Sequence, residues 1–227
     1  MQYFTPHTIT FFKHLAKNNK RERFHEHKDW YIESVKDPFD RYLTDLIAEV
    51  RKHDKKITIE PKQAKFRINR DVRFRKNKEP YKLHVSGVIS PGGRKDRIYP
   101  GLYVQIGMQG VCFGSGRYSL AKEELYALRA YIIKHPRKFK SVITDTALVD
   151  LFGDLQWTKN KRIAKEFQKK AEKEPLIYNK QFYFYKNYPA KMMLREDLLE
   201  WSIQHRHASR DRDTYVSNAI KKRAHQP

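Results

Sequence analysis

Sulfur is scarce in this sequence: Cys112 is the single cysteine in 227 residues. One thiol excludes an intramolecular disulfide. Its setting in the apolar run VCFG reads as a buried, inert thiol rather than a nucleophile. Long apolar runs are missing too, and without 18 consecutive apolar residues nothing is expected to span a membrane. The N-terminus, MQYFTPHTITFFKHLAKNNKRERF, lacks a basic stretch followed by an apolar one, so it does not read as a secretory signal. A soluble, cytoplasmic protein is the expectation.

Catalytic signatures are also missing. Neither GxxxxGK(S/T) nor a GxGxxG after a strand occurs, so no P-loop or dinucleotide fold is supported. There is no GxSxG, and Ser115 has no base placed by sequence. The pairs His25/His27 and His205/His207 lack helical i, i+4 spacing and a cysteine partner, so no metal is assigned, and no cofactor follows. The acids lie mainly among lysines on helices, which gives no carboxylate pair for glycoside-type chemistry. Glycines number nine, and those in GMQGVCFGSGRY suit bulges and close strand approaches, with an anion nest as the second reading.

Positive charge is abundant. Lys and Arg total 48 against 26 acids, a formal net charge of +22. Such a field concentrates polyanions, and it also suits a basic protein that avoids self-association. Fourteen Tyr and thirteen Phe make an aromatic-rich core the expectation.

The spacing of apolar residues predicts an α+β fold in a single domain over 1–227, with a mostly antiparallel central sheet flanked by N-terminal and C-terminal helices. The helical N-terminal part covers about 5–53. Thr5-Pro6 starts a helix with Ile9, Phe12, Leu15 and Ala16 inward. A second helix follows from about Lys20 to Val35. Asp37-Pro38 then begins an amphipathic helix with Phe39, Tyr42, Leu43, Leu46, Ile47 and Val50 on one face. From about 57 to 119 the period becomes two: Phe66 and Ile68, then Leu83, Val85, Gly87 and Ile89, then Leu102, Val104 and Ile106. The opposite face carries His84, Ser86, Tyr103 and Gln105 and is the place to look for a site. A mixed helical part fills about 120–227, with Pro136 ending one helix, DTALVDLFG forming a short one, QFYFYKNYP a strand, and a last helix fading into a basic tail.

One stretch concentrates the charge. KFRINRDVRFRKNKEPYK, residues 65–82, holds eight Lys and Arg and two acids. On a strand over Lys65–Asn69, Arg67 points away from Phe66 and Ile68 toward the polar face. Arg70, Asp71 and Arg73 then fill a connection in which a carboxylate between two guanidiniums can aim both. Lys78, Tyr81, Lys82 and His84 follow. A structural Arg–Asp network, a phosphate- or carboxylate-binding site and an extended nucleic-acid groove are all compatible with this pattern. As a site, Arg67, Arg70, Asp71, Arg73, Lys78, Tyr81 and Lys82 would bind a small anionic ligand, with His84, Tyr81 and Tyr103 nearest for proton transfer. Two other functions stay open: a nucleic-acid-binding module using the basic segment 159–173, the tail and QFYFY, or an interaction protein docking an acidic partner.

The pattern Arg67-x-x-Arg70-Asp71-x-Arg73-Phe74-x-x-x-Asn77-Lys78-x-x-Tyr81 resembles the signature RxxRDxRFxxx(D/N)KxxY of an uncharacterised family, domain-of-unknown-function 2461. NNKRERFHEHKDWYIESVKDPF, GLYVQIGMQGVCFGSGRYS and EPLIYNKQFYF are similar to its other segments. Arg23 stands where that family carries tryptophan, Ser115 replaces the middle of a triple glycine, and Glu174 replaces a histidine. The resemblance implies one domain, treats the Arg–Asp–Lys–Tyr residues as a unit, and supplies no reaction.

Overall fold

Thr5-Pro6 does begin a helix, α1 (Pro6–Lys17), with Thr8, Phe11, Phe12 and Leu15 buried. It belongs to a computed structural model that describes residues 1–96, 99–155 and 158–221. The helix expected over Lys20–Val35 is not one rod. It divides into α2 (Arg21–Glu26), α3 (Lys28–Tyr31) and a wide π turn over Ile32–Lys36, which runs directly into α4 (Asp37–His53). Pro38 accounts for the widening, because it has no N–H to close the turn and its ring crowds the preceding carbonyls. The Ser34 carbonyl four residues earlier loses its usual donor. The Thr8 hydroxyl on α1 donates to it instead, at 2.6 Å. That bond fastens α1 to the turn where the sequence signalled only a restart.

Helix α4 is the main packing surface of the N-terminal part. Phe39, Tyr42, Leu43, Leu46, Ile47 and Val50 are all buried, the full stripe read from their spacing. A short helix α5 (Pro61–Ala64) follows. The sheet comes next, with β1 (His84–Ile89), β2 (Gly101–Gly107) and β3 (Gly110–Arg117), and the later β4 (Phe182–Tyr188) completes it. Its order is β1-β2-β3-β4 and it is antiparallel, so the α+β class is as the patterning implied. Helix α4 packs on β1, and Val85, Ile89, Leu102, Val104 and Ile106 are buried.

The remaining helices are α6 (Lys122–Lys134), α7 (Pro136–Ile143), α8 (Thr146–Phe152), α9 (Lys165–Ala171) and α10 (Leu198–Lys221). Helix α6 ends at Lys134 with His135 as its cap, so Pro136 stops it as the spacing implied; the same proline is also the first residue of α7, a position where a missing N–H is harmless. The basic segment is helical only over α9, and Lys159 instead bridges Asn179. In QFYFY, Phe182 and Phe184 are buried core. Trp157 and the basic tail beyond Lys221 lie outside the described residues.

Two compact units can be distinguished. The first holds residues 1–95, 103–113 and 187–204, and the second holds the other described residues. In the first, the Tyr42 hydroxyl on α4 and Ser202 Oγ at the start of α10 are 2.7 Å apart and buried. In the second, the fully buried Arg212 lies over the Phe184 ring at 5.2 Å and pairs with Asp213 at 3.0 Å. Ser115 Oγ donates to the same carboxylate at 2.8 Å. Gly116 has φ of +114°, and a Cβ there would sit 2.2 Å from Arg212 Nη1. The bare backbone is needed at Gly116, whereas at 115 a serine side chain serves the buried charge.

Replacing Thr8 with valine keeps the packing and removes the donor to Ser34 O. The part-buried carbonyl then loses this donor, and chemical denaturation should show a loss of about 1 kcal/mol. An unchanged midpoint would mean that another donor reaches Ser34.

Candidate anion-binding cleft

Residues 65–69 run extended but do not form a regular strand. They pair with β1 and with the approach to it through two isolated bridges, Lys65 with Gly87 and Asn69 with Tyr81. Phe66 N donates to Ser86 O at 2.9 Å, Lys82 N to Ile68 O at 2.9 Å and Arg70 N to Pro80 O at 2.7 Å. Pro80 has a carbonyl but no N–H, so the ladder cannot continue as a strand pair. Side-chain alternation survives all the same: Ile68 is buried, and Arg67 and Asn69 are exposed.

Between these arms the loop 70–79 is braced by its own side chains. Asp71 does not fix two arginines. It takes Arg73 alone, with Nε to Oδ1 at 3.0 Å and Nη2 to Oδ2 at 2.7 Å. These bonds, with a third from the Arg73 backbone, hold the Asp71 carboxyl down to about 2. Arg70 turns to the far side of the loop, its Nη1 lying 3.2 Å from both Asn77 Oδ1 and Glu79 Oε2. Lys78 Nζ donates to the carbonyls of Val72 (3.1 Å) and Arg73 (3.3 Å). Phe74 projects from this braced loop, 95% exposed.

Tyr81 ends the loop and is held from behind. Asn19 Nδ2 donates to Tyr81 O at 3.0 Å, and Asn19 Oδ1 accepts from Tyr81 N at 3.2 Å. The Tyr81 ring stacks on Phe24 with centroids 4.0 Å apart. Lys82 Nζ donates to Arg67 O at 2.8 Å and lies over the Phe66 ring at 5.6 Å. Burial, then the Arg67 charge, lowers the Lys82 pKa. His84 opens β1 against Gly107 of β2. A Cβ at Gly107 would sit 2.4 Å from both His84 Cβ and Leu83 O, so only glycine lets the two strands close there.

A cleft of about 390 Å³ lies among these groups. Arg70, Asp71, Arg75 and Glu79 line it from the loop, and Tyr81, Lys82, Leu83 and His84 from the approach to β1. Gln105 of β2 and Gln109 of the β2–β3 turn complete it. Of the residues singled out by sequence, Arg70, Asp71, Tyr81, Lys82 and His84 therefore share one concavity. Arg67, Arg73 and Lys78 are not among the lining groups; Arg73 and Lys78 brace the loop. Tyr103 also stays outside the lining, donating its hydroxyl to Gln105 Oε1 at 2.7 Å. Burial pushes the Tyr103 phenol up to about 12. Arg75, Glu79 and Gln109 were missed because they belong to no repeating pattern, whereas Gln105 sat on the polar face already flagged. Cys112 is buried, and burial pushes its thiol up to about 11, as befits an inert group. Among the described residues no group of three or more His, Cys, Asp or Glu could hold a metal ion.

Residues 7–211 match a family described as "Conserved hypothetical protein (DUF2461)". The chain belongs to that family. Searches of curated proteins and of solved structures returned no match. The family's description names no reaction, so the residues themselves carry what can be said. Arg23, where the resemblance leads one to expect tryptophan, is exposed and pairs with Glu26 at 2.6 Å. Glu174, where it leads one to expect histidine, caps a short 3-10 turn by accepting from Leu176 N at 3.1 Å. Both replacements have local roles away from the cleft lining.

His84 supplies a pH signature for the cleft. Burial, then the Lys82 charge, brings it from its ordinary 6.5 down to about 4. Between those values the unfolded chain binds a proton that the folded chain refuses, so this contribution to stability is intact above pH 6.5 and declines as pH falls toward 4. Denaturation of wild type and His84→Gln across that range should show the smaller slope in the variant. Parallel slopes would place the titration elsewhere.

Proposed function

We propose that this protein binds a small anionic ligand, phosphate- or carboxylate-bearing, in the cleft in front of β1. The observation that carries the reading is the set of donors converging there: Arg70, Arg75 and Lys82, joined by Gln105 and Gln109, in one concavity. Charge pairing sharpens it. Asp71 is occupied by Arg73 and Arg70 by Glu79, which leaves Arg75, and Lys82 through the N–H groups it does not give to Arg67 O, as the cations for a ligand. The lowered pKa of Lys82 reflects a site where positive charge is already crowded and half-desolvated. An oxyanion placed there relieves that crowding.

Gln105 has its Oε1 engaged by Tyr103 and so offers its N–H groups to the cleft. His84, held low by burial and the Lys82 charge, is neutral at pH 7 and can hydrogen-bond a bound ligand. Tyr81, its phenol raised by burial, keeps its proton and serves as wall. The Arg73 and Lys78 side chains brace the loop rather than touch the ligand, and the exposed Arg67 lies outside the lining. The reading is one of binding.

Titration calorimetry with inorganic phosphate tests it. Wild type should give a saturable heat, and Arg75→Ala combined with Lys82→Met should weaken binding by about tenfold or more, as expected when charge-assisted bonds of ~1.5–3 kcal/mol are lost. Equal affinities in wild type and variant would refute the assignment. Sulfate, which keeps its charge from pH 4 to 7, tests the role of His84. A bound anion raises the His84 pKa, so sulfate affinity should climb as pH falls from 7 toward 4, and His84→Gln should flatten the curve.

A further inference from the structure

Phe74 is the most exposed large apolar side chain among the described residues, at 95%. Its exposure does not come from a loose loop. The bonds from Arg73 to Asp71, from Lys78 to two loop carbonyls and from Glu79 N to Asn77 Oδ1 (2.8 Å) brace the backbone on either side of it. The loop therefore presents a flat ring to solvent between two arginines, with the Arg73 guanidinium 5.9 Å from its centroid. The next residue, Arg75, lines the cleft. The opposite contributor, Gln109, is preceded by Met108, also exposed at 40%. Loop and turn thus each carry an exposed apolar side chain directly beside a lining residue.

Resting on the anion-binding reading, we propose that the ligand is a nucleotide unit, with its phosphate against Arg75 and Lys82 and its base stacked on Phe74. A nucleobase is the common biological group that joins a phosphate ester to a planar face, and base–aromatic stacking tolerates any base because every base has one. The flanking cations strengthen this fit, since a guanidinium beside an aromatic ring serves both the phosphate and the π face. The two glutamine side chains, Gln105 with its N–H groups free, face the acceptor-rich edges that bases carry. The cleft volume of about 390 Å³ lies in the range that holds small ligands. A sugar phosphate would leave Phe74 in water, and an anionic lipid surface would use Phe74 and the arginines but not the glutamine-lined concavity.

The test is calorimetric titration of the full chain with adenosine 5′-monophosphate, uridine 5′-monophosphate and ribose 5-phosphate, in wild type and Phe74→Ala. Both nucleotides should bind about tenfold tighter than ribose 5-phosphate. Phe74→Ala should erase that difference and leave ribose 5-phosphate binding unchanged. Because the side chain is so exposed the variant keeps its fold, which a thermal melt checks. Equal affinity for nucleotides and ribose 5-phosphate, or a silent Phe74→Ala, overturns the base-stacking proposal while leaving anion binding intact. Failure of all three to bind overturns both. A ten-nucleotide uridine strand distinguishes the sources: tighter, salt-sensitive binding places the unit in a single strand, and affinity no higher than the monomer's places it free in solution. Capture by phosphatidylserine vesicles that depends on Phe74, with no nucleotide response, would assign the loop to a lipid surface and overturn the proposal.

Discussion

The side-chain amide of Asn19 binds the backbone of Tyr81 in both directions, giving its N–H to the carbonyl and its oxygen to the N–H. It acts as the neighbouring strand that Tyr81 lacks on the side away from Asn69, across 62 positions of sequence and in a buried setting. Much of the first unit's chemistry hangs on this clamp. Tyr81 is where the loop 70–79 ends and the run into β1 begins, so fixing its backbone fixes the direction of Lys82 and His84. With the backbone pinned, the Tyr81 ring can lie flat on Phe24 and close the back of the cleft. A buried amide with both functions satisfied contributes stability through its bonds, and its loss would expose two backbone groups to an apolar setting at once.

The loop follows a different logic. Its cations are mostly spent internally: Arg73 on Asp71, Arg70 on Asn77 and Glu79, Lys78 on two carbonyls. Exposed ion pairs of this kind add little stability one by one, but their geometry orders the backbone. What emerges is a braced tip carrying Phe74 and a lining that includes Arg75 and Lys82. The high formal charge of the chain is thus a poor guide to any one site, since neighbouring cations in the same stretch have opposite duties.

The first helices show how far spacing alone reaches. The apolar stripe of α4 was legible because a 3.6 period sustained over 17 residues fits a helix and fits no strand. The π turn before it was not, because Pro38 announces a restart without saying how the chain gets there. That depended on a hydroxyl 26 residues before Ser34 reaching its carbonyl. The stretch 65–69 has the alternation of a strand without being one. Side-chain direction depends on local extended backbone, whereas a strand also needs continuous register, and between the bridges at Lys65–Gly87 and Asn69–Tyr81 one arm advances four residues while the other advances six.

Composition and periodicity determined the α+β class, the buried face of α4, the hydrophobic face of the strands, and a stretch that concentrates Arg, Asp, Lys and Tyr. Those features are local, and local sequence encodes them. Tertiary structure alone decided which members of the stretch meet at one surface. Arg70, Asp71, Tyr81, Lys82 and His84 line the cleft with Arg75 and the two glutamines, while Arg73 and Lys78 hold the loop. The reason is that a cleft is a relation between segments far apart in the chain. Gly107 closes on His84, and Asn19 grips Tyr81, through contacts that no period of two or 3.6 records.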